Sequence, residues 1–202
     1  MKINTLYIKI LASLLFLVIC ISSYLYSKSN FLYFILLLIG LFCSFLGDIF
    51  LGIQSKNKDT LGTQFIFGII SFSLTHIFYI SSFSYIYPFN IKDLLLSFIM
   101  LFIIIAFLKY RKDFDFQDFF ILSCIYAWII SLMFCKCIST CLFLGKSTIS
   151  VILIMGSSLF VISDVILSFI VFGKSHIKYL SIFNLITYYI GQILIASSVL
   201  FI

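Results

Sequence analysis

The chain has 202 residues, 63% of them hydrophobic and 10% charged, with a mean hydropathy of +1.26. A soluble domain carries about 45–50% apolar and about 25% charged residues, so this composition excludes a water-soluble enzyme and makes lipid the natural solvent. The formal charge is +6, from 13 Lys and Arg against 7 acids, all Asp; the cations stand singly or in small groups between apolar runs, the pattern of membrane loops rather than of a nucleic-acid-binding face.

A helix crosses the hydrocarbon core with roughly 20 apolar residues, and only helices or closed barrels satisfy their backbone there. Barrel strands alternate polar and apolar residues, whereas the apolar runs here are continuous. The sequence therefore predicts an all-α integral membrane protein, a bundle of about seven transmembrane helices forming one polytopic domain over residues 1–202. The spans run Leu6–Tyr26, Phe31–Ile53, Gly62–Phe83, Ile91–Leu108, Asp118–Cys135, Ser147–Phe172 and Leu180–Ile202, with short loops that make sequential helices antiparallel neighbours. The first span follows Lys2, but it is too long for a signal-peptide core and no A-x-A-like site follows it, so it reads as a retained helix. The fourth is the shortest. Pro88 falls between spans, and no repeat of the two halves stands out.

Alternate loops divide the cations unevenly. Lys2, Lys56, Lys58, Lys109, Arg111, Lys112, Lys174 and Lys178 fall on the side of the N-terminus; Lys28, Lys92, Lys136 and Lys146 fall on the other, eight against four. The positive-inside rule then puts the N-terminus in the cytoplasm, with the chain in the cell membrane, read as a bacterial inner membrane.

Charges inside spans cost roughly 2.5–3.5 kcal/mol each on insertion scales, which makes Lys9, Asp48 and Asp164 the first functional candidates. Seventeen uncharged residues precede each Asp, Phe31 to Gly47 and Ser147 to Ser163. At about 1.5 Å per residue, both carboxylates fall roughly 7–12 Å from the inner end, near the level of Lys9, Tyr188, Tyr189 and Gln192. Gly47 and Gly52 bracket Asp48 and permit close helix approach. Ser44 and Ser168 lie one turn from Asp48 and Asp164 on the same faces. The alternative for any of these groups is polar glue between helices. His76 counts to the outer half, away from Asp48, and by itself reads as a hydrogen-bonded interior histidine; His176 reads as a solvated loop residue beside Lys174 and Lys178.

Cys20, Cys43 and Cys124 read as small apolar residues. Cys135, Cys137 and Cys141 cluster at an expected outer loop, where a disulfide is one option; three thiols fall short of a four-ligand structural zinc site. Asp113, Asp115 and Asp118 read as a solvated helix start. With two histidines, one of them in a loop, a metal hydrolase is not expected. The sequence has no Gly-rich phosphate loop and no G-x-S-x-G nucleophile elbow, and no cofactor is expected.

Four segments, in order, carry a resemblance: Phe45-Leu46-Gly47-Asp48-Ile49-Phe50-Leu51, Ser73-Leu74-Thr75-His76-Ile77-Phe78-Tyr79, Leu159-Phe160-Val161-Ile162-Ser163-Asp164, and Tyr188-Tyr189-Ile190-Gly191-Gln192-Ile193-Leu194-Ile195. Together with Lys9 they resemble the YhhN-like lysoplasmalogenase family. The family's lysine is usually followed by Pro, where this chain has Ile10. Relatives commonly have eight helices, so the resemblance implies that this chain starts at the equivalent of the second. It further implies hydrolysis of the vinyl ether bond of a lysoplasmalogen, a lysophospholipid of the bilayer, to a fatty aldehyde and a glycerophospho-ethanolamine or -choline. His76, Tyr79, Tyr188 and Gln192, in the matching motifs, become substrate-binding candidates, and Lys9 a partner for the substrate phosphate or for one Asp.

The chemistry suits the residues. Vinyl ether hydrolysis begins with protonation of the β-carbon to an oxocarbenium-like ion, to which water adds. Low dielectric favours the neutral, proton-donating form of a carboxyl, and a second carboxylate can stabilise the cation and activate water, as paired carboxylates do in glycoside hydrolysis. Asp48 and Asp164 are the expected catalytic pair. The competing reading is a small lipid or metabolite transporter or binding protein, a class that often shows internal repeats.

Overall fold

The computed structural model describes residues 2–28, 30–54, 61–110, 114–173 and 179–202. Seven α-helices occupy them: α1 Lys2–Ser27, α2 Phe31–Gln54, α3 Thr63–Ile86, α4 Ile91–Tyr110, α5 Phe120–Leu144, α6 Thr148–Phe172 and α7 Leu180–Ser197. Short 3-10 turns lead into α5 at Gln117–Phe119 and extend α7 at Ser198–Phe201. Among the described residues the only β pairing is one bridge between Phe114 and Gly173. Six of the helices are long and apolar enough to cross a membrane. Their burial is inverted relative to a soluble protein: Leu11, Phe102, Ile103 and Ile121 face outward, while Ser13, Asp48, His76 and Gln192 are buried.

Short polar turns start the helices. Asn30 caps α2, its Oδ1 accepting from the backbone N–H groups of Leu32 (3.0 Å) and Tyr33 (3.3 Å). Asn90 Oδ1 accepts from Lys92 N–H while the Asp93 carboxylate returns to Asn90 N–H, a reciprocal cap on α4. Ser147 caps α6 through Ser150 N–H.

The fifth helix runs nine residues past its expected end at Cys135, and Lys136 is the reason. Read from sequence as a loop cation, it is fully buried within α5, with Nζ 3.0 Å from the Pro88 carbonyl, 3.5 Å from Asp93 Oδ2 and 4.7 Å from the centre of the Tyr87 ring. A fixed anion, not loop water, holds the charge. Lys136 therefore leaves the outer loop count, and Cys135, Cys137 and Cys141 lie on the helix rather than in a loop. All six cysteines are free; the Cys137 and Cys141 sulfurs, one turn apart, are separated by 3.9 Å. Lys56, Lys58, Arg111, Lys112, Asp113, Lys174, His176 and Lys178, with the side chains of Lys2 and Lys109, lie outside the described residues.

Helix α4 packs on α5, through the stacked Phe98–Trp128 rings and the Trp128 Nε1–Ser97 hydrogen bond of 3.1 Å. The other six helices close a ring in the order α1, α2, α3, α5, α6, α7 and back to α1. The second ring neighbour of α3 is thus α5, not α4, and these two run parallel: Phe65 meets Phe119 near one end, and Thr140 reaches the Phe83 carbonyl near the other. Sequential antiparallel packing fails at this one step.

The ring repeats itself, contrary to the expectation from sequence. The contacts α1–α2 and α2–α3 recur as α5–α6 and α6–α7, and α3 against α5 is matched by α7 against α1. Residues pair at a constant offset of 116, the separation of Asp48 and Asp164, without a gap from 31–82 to 147–198. Gly40 pairs with Gly156, Leu51 with Leu167, Phe67 with Phe183 and Ile77 with Ile193. Packing follows the same pairing: a Cβ on Gly40 would meet Tyr79, and one on Gly156 would meet Ile195, the counterpart of Tyr79. Phe72 and Tyr188, also counterparts, touch each other with ring centres 6.0 Å apart. An approximate two-fold axis along the bundle therefore passes between them. Most apolar residues facing lipid or core differ between the halves, so the repeat shows in helix contacts and scattered identities rather than in a readable sequence repeat.

Candidate active site

Asp48 sits on α2 at the centre of a buried hydrogen-bond chain. Its Oδ2 accepts from Ser13 Oγ of α1 (2.5 Å) and from the Tyr188 hydroxyl of α7 (2.8 Å). The Tyr188 hydroxyl also meets Ser44 Oγ at 2.7 Å, Gln192 Nε2 donates to Ser44 Oγ at 2.6 Å, and Tyr79 donates to Gln192 Oε1 at 2.6 Å. The chain thus runs from α3 through α7 and α2 to α1. In hydrocarbon such a network rigidifies the helices it joins because its members satisfy one another. Gly47 makes room beside it: a Cβ there would fall 2.7 Å from the Phe72 ring.

Lys9 contributes its backbone to this cluster. Its carbonyl accepts from Tyr189 (3.2 Å) and lies 2.8 Å from Ser13 Oγ. Among the described residues no carboxylate stands within ion-pair distance of its ammonium.

Asp164, on α6, belongs to a second cluster. Its Oδ2 accepts from the Tyr126 hydroxyl of α5. His76 of α3 places Nε2 3.3 Å from that hydroxyl and 3.9 Å from Asp164 Oδ2. The ring of His76 is fully buried, and among the described residues its Nδ1 has no hydrogen-bond partner. Phe160 packs edge-on against His76 (4.8 Å) and against Tyr188 (5.4 Å), and Phe72 meets both Phe160 and Tyr188. Phe160 thus bridges the two clusters, with Phe72 packed beside it.

Sequence reasoning brought the right polar residues inside but not their partnerships. Asp48, Tyr188, Gln192 and Tyr79 form one cluster. His76, expected away from Asp48, meets Asp164 instead. Ser168 turns to the Val165 carbonyl of its own helix and joins neither cluster. Ser13 and Tyr126 were missed, although each is the residue that holds an Asp. Ser13 lies one turn after Lys9, which is a signal; Tyr126 had none, being one of 12 tyrosines in the chain. Among the described residues no group of three or more His, Cys, Asp or Glu is placed to hold a metal ion.

No curated protein and no solved structure matches the chain. The model of the YhhN family matches residues 4–199, which include Lys9, both carboxylates, His76 and Gln192. With nearly its whole length matched, the chain belongs to the YhhN family.

Proposed function

We propose that this protein is a membrane hydrolase that cleaves the vinyl ether bond of lysoplasmalogens, releasing a fatty aldehyde and a glycerophospho-ethanolamine or -choline. The observation that carries this reading is the pair of carboxylates at equivalent positions of the two halves, Asp48 and Asp164, each hydrogen-bonded to a tyrosine inside an apolar bundle. A carboxylic acid there gives its proton to the β-carbon of the enol ether. The oxocarbenium-like ion takes up water at the carbon bearing oxygen, the second cluster accepts the water proton, and the hemiacetal collapses to aldehyde and alcohol. Such placed proton transfers contribute typically about 10²–10⁴-fold in rate. The Lys9 ammonium, which among the described residues has no carboxylate within ion-pair distance, serves the substrate phosphate, with Tyr79, Tyr188, Gln192 and His76 around the reacting bond. The protein acts in the cell membrane, read as a bacterial inner membrane, with its N-terminus in the cytoplasm.

The test is aldehyde release by the purified protein from a lysoplasmenyl phospholipid, with an ester-linked lysophospholipid as control. Release no faster than from heat-inactivated protein ends the reading.

One observation favours a second reading. A two-fold repeat along the membrane normal is the architecture of several carriers, which bind substrate at the repeat interface. Carriers of that kind use broken helices at the site, and all seven helices here are continuous over the described residues. Uptake of a labelled lysophospholipid by proteoliposomes, without aldehyde formation, would favour the carrier.

A further inference from the structure

His76 is only half satisfied. Nε2 meets the Tyr126 hydroxyl, while among the described residues Nδ1 of the same fully buried ring has no hydrogen-bond partner. An unmet buried polar atom is rare in a native interior and calls for an explanation, a catalytic role among them.

The duplication supplies an internal comparison. At the offset of 116, the counterpart of His76 is Gln192. Both ends of Gln192 are occupied, Nε2 by Ser44 and Oε1 by Tyr79. The same place in the fold therefore holds a closed amide in one half and a ring with an open nitrogen in the other. The direction of the hydrogens follows from the phenol. Tyr126 has one O–H and gives it to Asp164, so its oxygen accepts from His76. Nε2 then carries the ring hydrogen and Nδ1 carries the lone pair.

One ring, Phe160, stands between His76 (4.8 Å) and Tyr188 (5.4 Å), the phenol that donates to Asp48. Gly47 faces Phe72 and Gly40 faces Tyr79 across the α2–α3 interface. In that register His76 lies opposite Cys43, five residues from Asp48, or about 7–8 Å along the helix axis.

We propose that His76 is the base of this site, taking a proton at Nδ1, with Tyr126 as the positioning residue and Asp164 as the anion that faces the resulting imidazolium. The substrate rests on the reading above; the relay does not. In the reaction Asp48 protonates the β-carbon and becomes a carboxylate. Water bonds to the oxocarbenium carbon and loses a proton to His76 Nδ1. The hemiacetal hydroxyl then returns a proton to Asp48 as the carbonyl forms, the bond to the glyceryl oxygen breaks, and that oxygen takes the proton from His76. One water is consumed and both groups regain their starting states.

The experiment has two arms on the full-length protein in detergent micelles. The chain has two histidines, and His176→Asn leaves the signal of His76 alone. Proton–nitrogen correlation spectra of histidine-labelled protein should show hydrogen on Nε2 and none on Nδ1, and Tyr126→Phe should move the Nε2 resonance. Hydrogen on Nδ1, or no response to Tyr126→Phe, overturns the relay. On a lysoplasmenyl phospholipid, His76→Gln should lower kcat by about 10²–10⁴-fold with KM little changed, and turnover within about threefold of wild type would overturn the base role. Added imidazole should restore part of the turnover of His76→Ala, as it would not for a residue that only fills space. A wild type that releases no aldehyde defeats the substrate reading alone, and the spectra still decide the relay.

Discussion

Tyr188 donates its phenolic hydrogen to Asp48 across 2.8 Å and ties α7 to α2, while Asp164, the counterpart of Asp48 in the second half, receives a phenolic hydrogen from a different helix, through Tyr126 of α5. The two carboxylates thus share a position in the fold but not a partner.

That arrangement makes the Asn variants informative. Asp48→Asn and Asp164→Asn each keep size and an acceptor oxygen but lose the ionisable proton. Both proteins should insert and fold, and each should lose about 10²–10⁴-fold in vinyl ether hydrolysis. The measurement is aldehyde release per folded molecule. Full turnover in both variants, with loss only of yield or thermal stability, would assign the carboxylates to helix packing.

How far the sequence could be read depends on which force writes each feature. Helix number and most boundaries follow from hydropathy and short polar turns, and Asn30, Asn90 and Ser147 mark three helix starts. Lys136 misled because hydropathy treats every lysine as solvated, whereas Asp93 holds this one inside. That Asp48 and Asp164 fall within helices was legible from residue counting. Their partners were not, because rise per residue gives level without azimuth: His76 meets α5 and α6, and Ser13 rather than the Lys9 ammonium meets Asp48. The duplication was hidden for the reason that made the chain easy to class, a free exchange of Leu, Ile, Val and Phe over the apolar positions.

Helix α6 approaches α7 closely where two glycines face each other. A Cβ on Gly191 would fall 2.9 Å from the Gly156 carbonyl and 3.1 Å from Phe160 N. Both obstacles are backbone, so the helices themselves must separate. Gly191→Ala should cost about 1–3 kcal/mol, the usual range for overpacking, seen as a lower thermal midpoint in detergent. Gly145→Ala makes a contrast: nothing lies within 4 Å of its Cβ, and only its φ of +66° opposes the substitution. An unchanged midpoint in Gly191→Ala would contradict the close approach.

The proposed orientation has a direct test. Lys146 lies exposed in the turn between α5 and α6, on the side opposite the N-terminus. In a background without native cysteines, Lys146→Cys should react with an impermeant maleimide added to intact cells, and Arg111→Cys should react only after lysis. The reverse pattern would place the N-terminus outside.

Lys136 and Asp93 form an ion pair that neither water nor a loop sustains. The carboxylate is also bound to Asn90 N–H at the start of α4, and the ammonium to the Pro88 carbonyl. The pair therefore fastens the peripheral α4 and the turn before it to α5. Removing one member leaves the other charge buried, which costs about 3–5 kcal/mol in protein interiors, whereas replacing both by neutral residues is often close to neutral. Lys136→Met should thus destabilise strongly, Asp93→Asn less because the amide keeps the cap, and the double variant should recover most of the loss. A thermal-unfolding double-mutant cycle in detergent measures the coupling directly. Additive effects, or a Lys136→Met variant as stable as wild type, would mean that the lysine is solvated as the sequence alone implied. Strong coupling with unchanged aldehyde release per folded molecule would confine the pair to anchoring α4, outside the ring that holds Asp48 and Asp164.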